Sequence, residues 1–170
     1  MKEYFNFVEN LAKNRENKDF FNSGPIHASI VMSRIFEYSE NEIKIFCGGF
    51  SGAVSNDPLY QSSLEKFLKK EGTNLKVLVE DYSNNKNSKI YTTLKQYKSK
   101  VELFETQIKV INSDTEKPVH FAIGDNRMLR LETNPDDFTA QVNFDAPEAS
   151  SIENIFDEMF ANTNNTLITL

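Results

Sequence analysis

The sequence predicts a mixed α/β domain in which a parallel β-α-β part is followed by an antiparallel meander, with helices packed on the sheet. Two β-loop-α alternations lie between Ile43 and Glu105, and three consecutive strand-like runs follow Pro118. Strands that alternate with helices argue for parallel pairing, and strands that follow one another directly argue for hairpins. No internal repeat and no linker interrupts the 170 residues, so one domain spanning 1–170 is the economical organisation, with N-terminal helices in 1–40, a core in 41–162 and a tail in 163–170.

Tyr4, Phe7, Val8 and Leu11 follow helical spacing and predict an amphipathic first helix. Ser23 with Pro25 marks a helix start, and the run IHASIVMSRIF that follows is apolar nearly all round, so this second helix is expected to be buried. His27 lies in it, where a backbone carbonyl is the simplest partner. IKIFC (43–47) is a short strand of β-branched and aromatic residues that runs into GGFSG (48–52). The next helix opens at Asp57 and Pro58 and carries Tyr60, Leu64, Phe67 and Leu68 on one stripe. Gly48, Gly49 and Ser51 are candidate ligand-binding positions, because a glycine-rich turn at the carboxyl end of a strand can approach a phosphate. GGFSG nevertheless lacks both the dinucleotide fingerprint and a P-loop lysine, and tight-turn geometry is the plainer explanation.

LKVLVE (75–80) is a second strand. Ser88 then caps a helix with Ile90, Leu94 and Tyr97 on its stripe, and VELFE (101–105) is a third strand. VHFAI, MLRLE and FTAQVNF form the meander. Asp145 and Glu148 have capping-box spacing ahead of a last helix whose buried stripe is Ile152, Ile155, Phe156, Met159 and Phe160. The tail NTNNTLITL either frays or adds an edge strand.

Strand parity orients the meander. Phe121, Ile123, Leu129 and Leu131 should share the core face, which requires an odd loop around Gly124-Asp125-Asn126 and sets His120 opposite Arg130 or Glu132. His120, Arg130 and Glu132 then fall on the other face. In the third run Phe138, Ala140, Val142 and Phe144 point one way, and Thr139, Gln141 and Asn143 point the other. The polar face is therefore expected to collect a histidine, an arginine, a carboxylate and the amides of Gln141 and Asn143. Its plainest explanation is a wet sheet face with cross-strand charge pairs. On that basis Leu131→Ala should cost roughly 2–5 kcal/mol and His120→Ala much less.

Composition excludes several classes. Cys47 is the only cysteine, so neither a disulfide framework nor a cysteine-based zinc site is available, and no metal or cofactor is expected. With 19 Lys and Arg against 25 Asp and Glu the net charge is −6, which disfavours nucleic acid as a partner. No apolar run approaches the roughly 20 residues of a membrane span, and the first twenty residues are too charged for a signal peptide. A cytoplasmic protein is the expectation.

From about Asn41 to Asn162 the order of elements, with a histidine-bearing strand, an Asp turn, a return strand and a strand ending in Asn, resembles one repeat of the phospholipase D superfamily. That family's signature is His-x-Lys-x4-Asp, followed after the hairpin by an Asn-bearing stretch. The histidine is the nucleophile on phosphorus, the lysine binds the phosphate, and two copies of the motif meet in one site. VHFAIGDNRMLRLE supplies the histidine as His120, and VNFDAP is similar to the segment carrying the asparagine, which would be Asn143. The lysine position is Ala122 and the aspartate position is Arg127, with Asp125 the nearest acid. Losing the lysine removes a charge worth several kcal/mol to a phosphoryl transition state.

The resemblance thus implies a catalytically degenerate module that binds a partner protein or a phosphate-bearing ligand, in a setting such as a bacterial nuclease or phage-defence system. One alternative is a dimeric phosphodiesterase or nuclease in which His120 attacks, Arg130 replaces the lysine, Glu132 orients the imidazole and Asn143 assists. Another is a structural subunit with no ligand.

Overall fold

A computed structural model describes residues 1–50 and 52–170. The elements in chain order are α1 (Lys2–Asn14), β1 (Phe20–Asn22), α2 (Pro25–Tyr38), β2 (Glu42–Cys47), α3 (Pro58–Lys69), β3 (Asn74–Val79), α4 (Lys89–Gln96), β4 (Val101–Glu105), β5 (His120–Gly124), β6 (Met128–Asn134), β7 (Thr139–Asn143), α5 (Ala149–Phe160) and β8 (Thr166–Leu167). The strands form one sheet in the order β1-β7-β6-β5-β2-β3-β4-β8. β2, β3 and β4 are parallel, while β5, β6 and β7 form the expected antiparallel meander against β2.

Both faces of this sheet are covered. On one side, residues of α1, α2, α3 and α4 pack with Ile43, Ile45, Val77, Val79 and Val142. On the other, Phe46, Leu78, Phe121, Ile123 and Leu129 pack with Ala149, Phe156 and Met159 from α5. The all-round apolarity of α2 has its explanation here: every residue from Ala28 to Phe36 is buried. Glu9 on α1 bonds both Arg34 and Tyr38 of α2, and so fixes one helix on the other.

Local signals acted largely as expected. Asp57 accepts from the N–H groups of Leu59 (2.8 Å) and Tyr60 (3.4 Å), satisfying orphan donors at the start of α3. The tail takes the second of its two options and pairs β8 with the edge of β4. The helix start at Ser23 moves to Gly24, whose φ of 79° suits glycine, and the preceding FFN, too short to show alternation, forms an edge strand. His27 stacks on the ring of Tyr4 at 3.9 Å between centroids. Asp145 and Glu148 do not form the capping box, because residues 145–148 turn before α5 begins at Ala149. On α5, Phe156 and Met159 are buried, but Ile155 is 44% exposed and leaves the predicted stripe.

The hairpin has the expected strand parity. Phe121 pairs with Leu131, Ile123 with Leu129 and His120 with Glu132, around an odd loop of Asp125, Asn126 and Arg127. Asp125 and Asn126 both take positive φ, which their short polar side chains tolerate better than most. The Asp125 carboxylate accepts from the backbone N–H groups of Glu40, Asn41 and Glu42 at 2.7–3.0 Å, so it anchors the α2–β2 connection. Arg127 donates to the Phe144 carbonyl at 2.6 Å and ties the same loop to the end of β7. The expected ranking of truncations changes, because Leu131 is only half-buried whereas His120 is 9% exposed.

Candidate functional site

His120, Ala122, Arg130 and Glu132 share a face of β5 and β6, as their register requires. That face is not wet. It lies on the α1–α4 side of the sheet, and His120, Arg130 and Glu132 are each 7–9% exposed. Buried charges must be paired, and these are joined in a line. Glu132 Oε1 accepts from Arg130 Nη2 at 2.8 Å, and Glu132 Oε2 lies 3.3 Å from His120 Nδ1. The other imidazole nitrogen, Nε2, lies 3.3 Å from Glu80 Oε2, and Glu80 Oε1 reaches Lys109 at 3.3 Å. At the far end Arg130 also donates to Asn22 Oδ1 (3.3 Å) and to the Phe138 carbonyl (3.2 Å).

This arrangement sets the charge on the imidazole. Burial alone lowers the pKa of His120, but its bonds to Glu132 and Glu80 and their negative charges outweigh burial and raise it to about 9. For Glu132, burial opposes ionisation, yet His120 and Arg130 together hold the carboxyl below its usual range. Glu80 is likewise held low, against burial, by His120 and Lys109. With both ring nitrogens 3.3 Å from carboxylates, the raised pKa of His120 favours the imidazolium over the neutral ring whose lone pair an attack on phosphorus requires. Burial, then the nearby Glu132 charge, pushes the Cys47 thiol up to about 12, which disfavours its thiolate.

A pH dependence follows. The His120 pKa is raised above its unfolded value near 6.5, so its stabilising contribution is complete below about pH 6.5 and is lost as pH rises through about 9. Urea melts between these limits should show a loss on the order of 3 kcal/mol in the wild type. His120→Gln should flatten that window, and an unchanged slope would contradict the imidazolium assignment.

The turn after β2 abuts this line of charges. A Cβ added to Gly48 would stand 3.3 Å from His120 Cε1, and one on Gly49 would stand 2.3 Å from the Asn85 amide nitrogen and 3.1 Å from the Asp81 carbonyl oxygen. Neither glycine has positive φ, so close approach rather than turn geometry selects them. Ser51 lies outside the described residues. Gly48 and Gly49, together with His120, Ala122, Arg130 and Glu132, line a cavity of about 420 Å³.

The amides do not join this cluster. β7 registers Val142 against Arg130 and Ala140 against Glu132, so Gln141 and Asn143 fall on the α5 side of the sheet. Asn143 instead donates to Asn17 (2.9 Å) and Asp19 (2.8 Å) and accepts from the Asp145 N–H, locking the chain that enters β1. Glu80 and Asn22 are the site residues that the sequence did not single out. Glu80 stands just past a strand end, and Asn22 belongs to the unanticipated β1; only tertiary pairing brings either to the histidine. Among the described residues no group of three or more His, Cys, Asp and Glu is placed to hold a metal ion, and no helix is long and apolar enough to cross a membrane.

By sequence, no protein-family model and no curated protein matches the chain. Solved structures do. The archaeal chromatin protein TrmBL2, whose structure shows a novel mode of DNA binding, is similar over 92% of this chain at 15% identity with a TM-score of 0.60. This chain spans only 58% of TrmBL2. NucT from Helicobacter pylori is similar over 90% of this chain and 99% of its own, at 11% identity and a TM-score of 0.60. Phosphatidylserine synthase from Haemophilus influenzae Rd KW20 is similar over 89% of this chain and 39% of its own, at 11% identity and a TM-score of 0.58. NucT and the synthase are phospholipase D superfamily members, and at these identities the likeness concerns architecture. The chain therefore has a phospholipase D-like α/β fold.

Proposed function

We propose that this protein is a catalytically silent phospholipase D-like module that binds rather than cleaves, using the cavity between the His120–Arg130 line and the turn at Gly48 and Gly49. One observation carries the reading: both ring nitrogens of His120 lie 3.3 Å from carboxylates, those of Glu132 and Glu80, which favours an imidazolium in the nucleophile's position. The lysine position supports it, since Ala122 supplies no cation. Arg130 is no ready substitute, because its guanidinium is already bonded to Glu132, Asn22 and the Phe138 carbonyl. The fold itself is neutral on chemistry, being found in a synthase and in a DNA-binding chromatin protein alike. A role as an accessory component of a bacterial nuclease or defence system is consistent with such a module and rests on the resemblance alone.

The test is turnover without added metal of bis(p-nitrophenyl) phosphate and of single- and double-stranded DNA. Wild type is expected to match a His120→Ala control. Turnover that both His120→Ala and Arg130→Ala abolish, in variants shown by circular dichroism to be folded, would mean that the protein is a phosphodiesterase.

A further inference from the structure

The cavity's lining limits what it can hold. At about 420 Å³ it falls within the roughly 300–1,000 Å³ of small-molecule sites. Met32, Ile45, Phe50, Val54, Tyr60 and Phe138 give it apolar walls, and the His120–Glu132–Arg130 line gives it one polar end. Along that line three cations, Arg130, His120 and Lys109, face two carboxylates, Glu132 and Glu80, so it can balance one further negative charge and not two. Arg130 faces Glu132 at 2.8 Å, and His120 faces Glu132 and Glu80 at 3.3 Å each. Asp81, whose carboxylate is bonded to Asn84, adds a further negative charge to the lining. A phosphate dianion would have to enter against these carboxylates, with a methyl group at Ala122 in place of a cation, and burying charge without a partner is costly.

Hydrogen-bonding capacity nevertheless remains. Arg130 uses Nε and Nη2 on protein acceptors, while among the described residues Nη1 has none. Tyr60, only 3% exposed, lines the same cavity. Resting on the non-catalytic reading above, we infer that this cavity binds a small, predominantly apolar molecule bearing one neutral or singly charged oxygen acceptor, namely an aromatic or alicyclic carboxylate or carbonyl compound, and that it discriminates against phosphate esters. The apolar body displaces water from the walls, and the oxygen takes the remaining Arg130 N–H groups. A second negative charge finds no further cation and meets Glu132.

The experiment titrates 2-naphthoate, 2-naphthyl phosphate and inorganic phosphate into the full chain by calorimetry, with amide NMR following Gly48, Gly49 and Ala122. Naphthoate should bind at least ~10-fold more tightly than naphthyl phosphate and shift those three amides, and inorganic phosphate should shift none of them. Ala122→Leu, which grows a side chain into the cavity, should weaken naphthoate at least ~10-fold. Val54→Trp, from a half-buried part of the lining, serves the same purpose if the first variant does not fold. Phosphate ester binding as tight as naphthoate, or naphthoate binding that leaves these amides unmoved, overturns the ligand assignment and leaves the non-catalytic reading intact. Release of 2-naphthol from the phosphate by wild type but not by His120→Ala overturns the reading beneath it.

Discussion

Glu132→Ala should destabilise the protein by about 3–5 kcal/mol, the range for breaking a buried ion pair by removing one partner. The carboxylate is shared between Arg130 at 2.8 Å and His120 at 3.3 Å, and its residue is only 8% exposed. Its loss strands a guanidinium that cannot neutralise itself and an imidazolium that can, so the deficit should shrink as pH rises and His120 gives up its proton. Glu132→Gln retains an acceptor for Arg130 and should lose less than the alanine variant. Urea denaturation at pH 6 and pH 8 checks both points. An alanine variant within about 0.5 kcal/mol of wild type, the scatter of ordinary surface changes, would show that the line of charges is not an energetic unit.

A comparable loss, about 3–5 kcal/mol, is expected for Phe156→Ala on the opposite face. Phe156 is fully buried, stacks on Phe160 at 5.4 Å and meets Phe121 edge-on at 6.3 Å, so its removal opens a cavity beneath α5. α5 has a second attachment, since Lys44 on β2 reaches Glu153 (2.7 Å) and Asp157 (2.8 Å) of the helix, and this should keep the helix docked while the core loses contacts. Ile155→Ala, one residue earlier but 44% exposed, should cost far less. Equal losses at the two positions would contradict the orientation of the helix.

The faces of the hairpin were legible in the sequence because four large apolar residues of one parity belong on one side, and only the choice of Arg130 or Glu132 opposite His120 stayed open. The third strand misled for a related reason. Apolar alternation separates core from water only where one face is wet, and here both faces are covered. A register shift between Glu132 and Asn134, with Phe138 at a φ of 59°, then sets Val142 opposite Arg130. This carries Gln141 and Asn143 away from the histidine. The burial of α2 was readable from its composition, but nothing in a helix that is apolar all round says which polar side chains it will cover. Glu80 shows the same limit, since one acid past the end of a strand acquires meaning only when β2 separates it from β5 by a single strand.

In this account His120 is a doubly bonded imidazolium and not a free base. The most direct measurement is the pair of ring ¹⁵N chemical shifts of His120 as a function of pH, with His27→Gln removing the only other histidine. Both nitrogens should carry protons at pH 7, with a midpoint near pH 9. A neutral ring at pH 7 with one unprotonated nitrogen, titrating near the ordinary value of about 6.5, would contradict the claim and restore His120 as a candidate nucleophile.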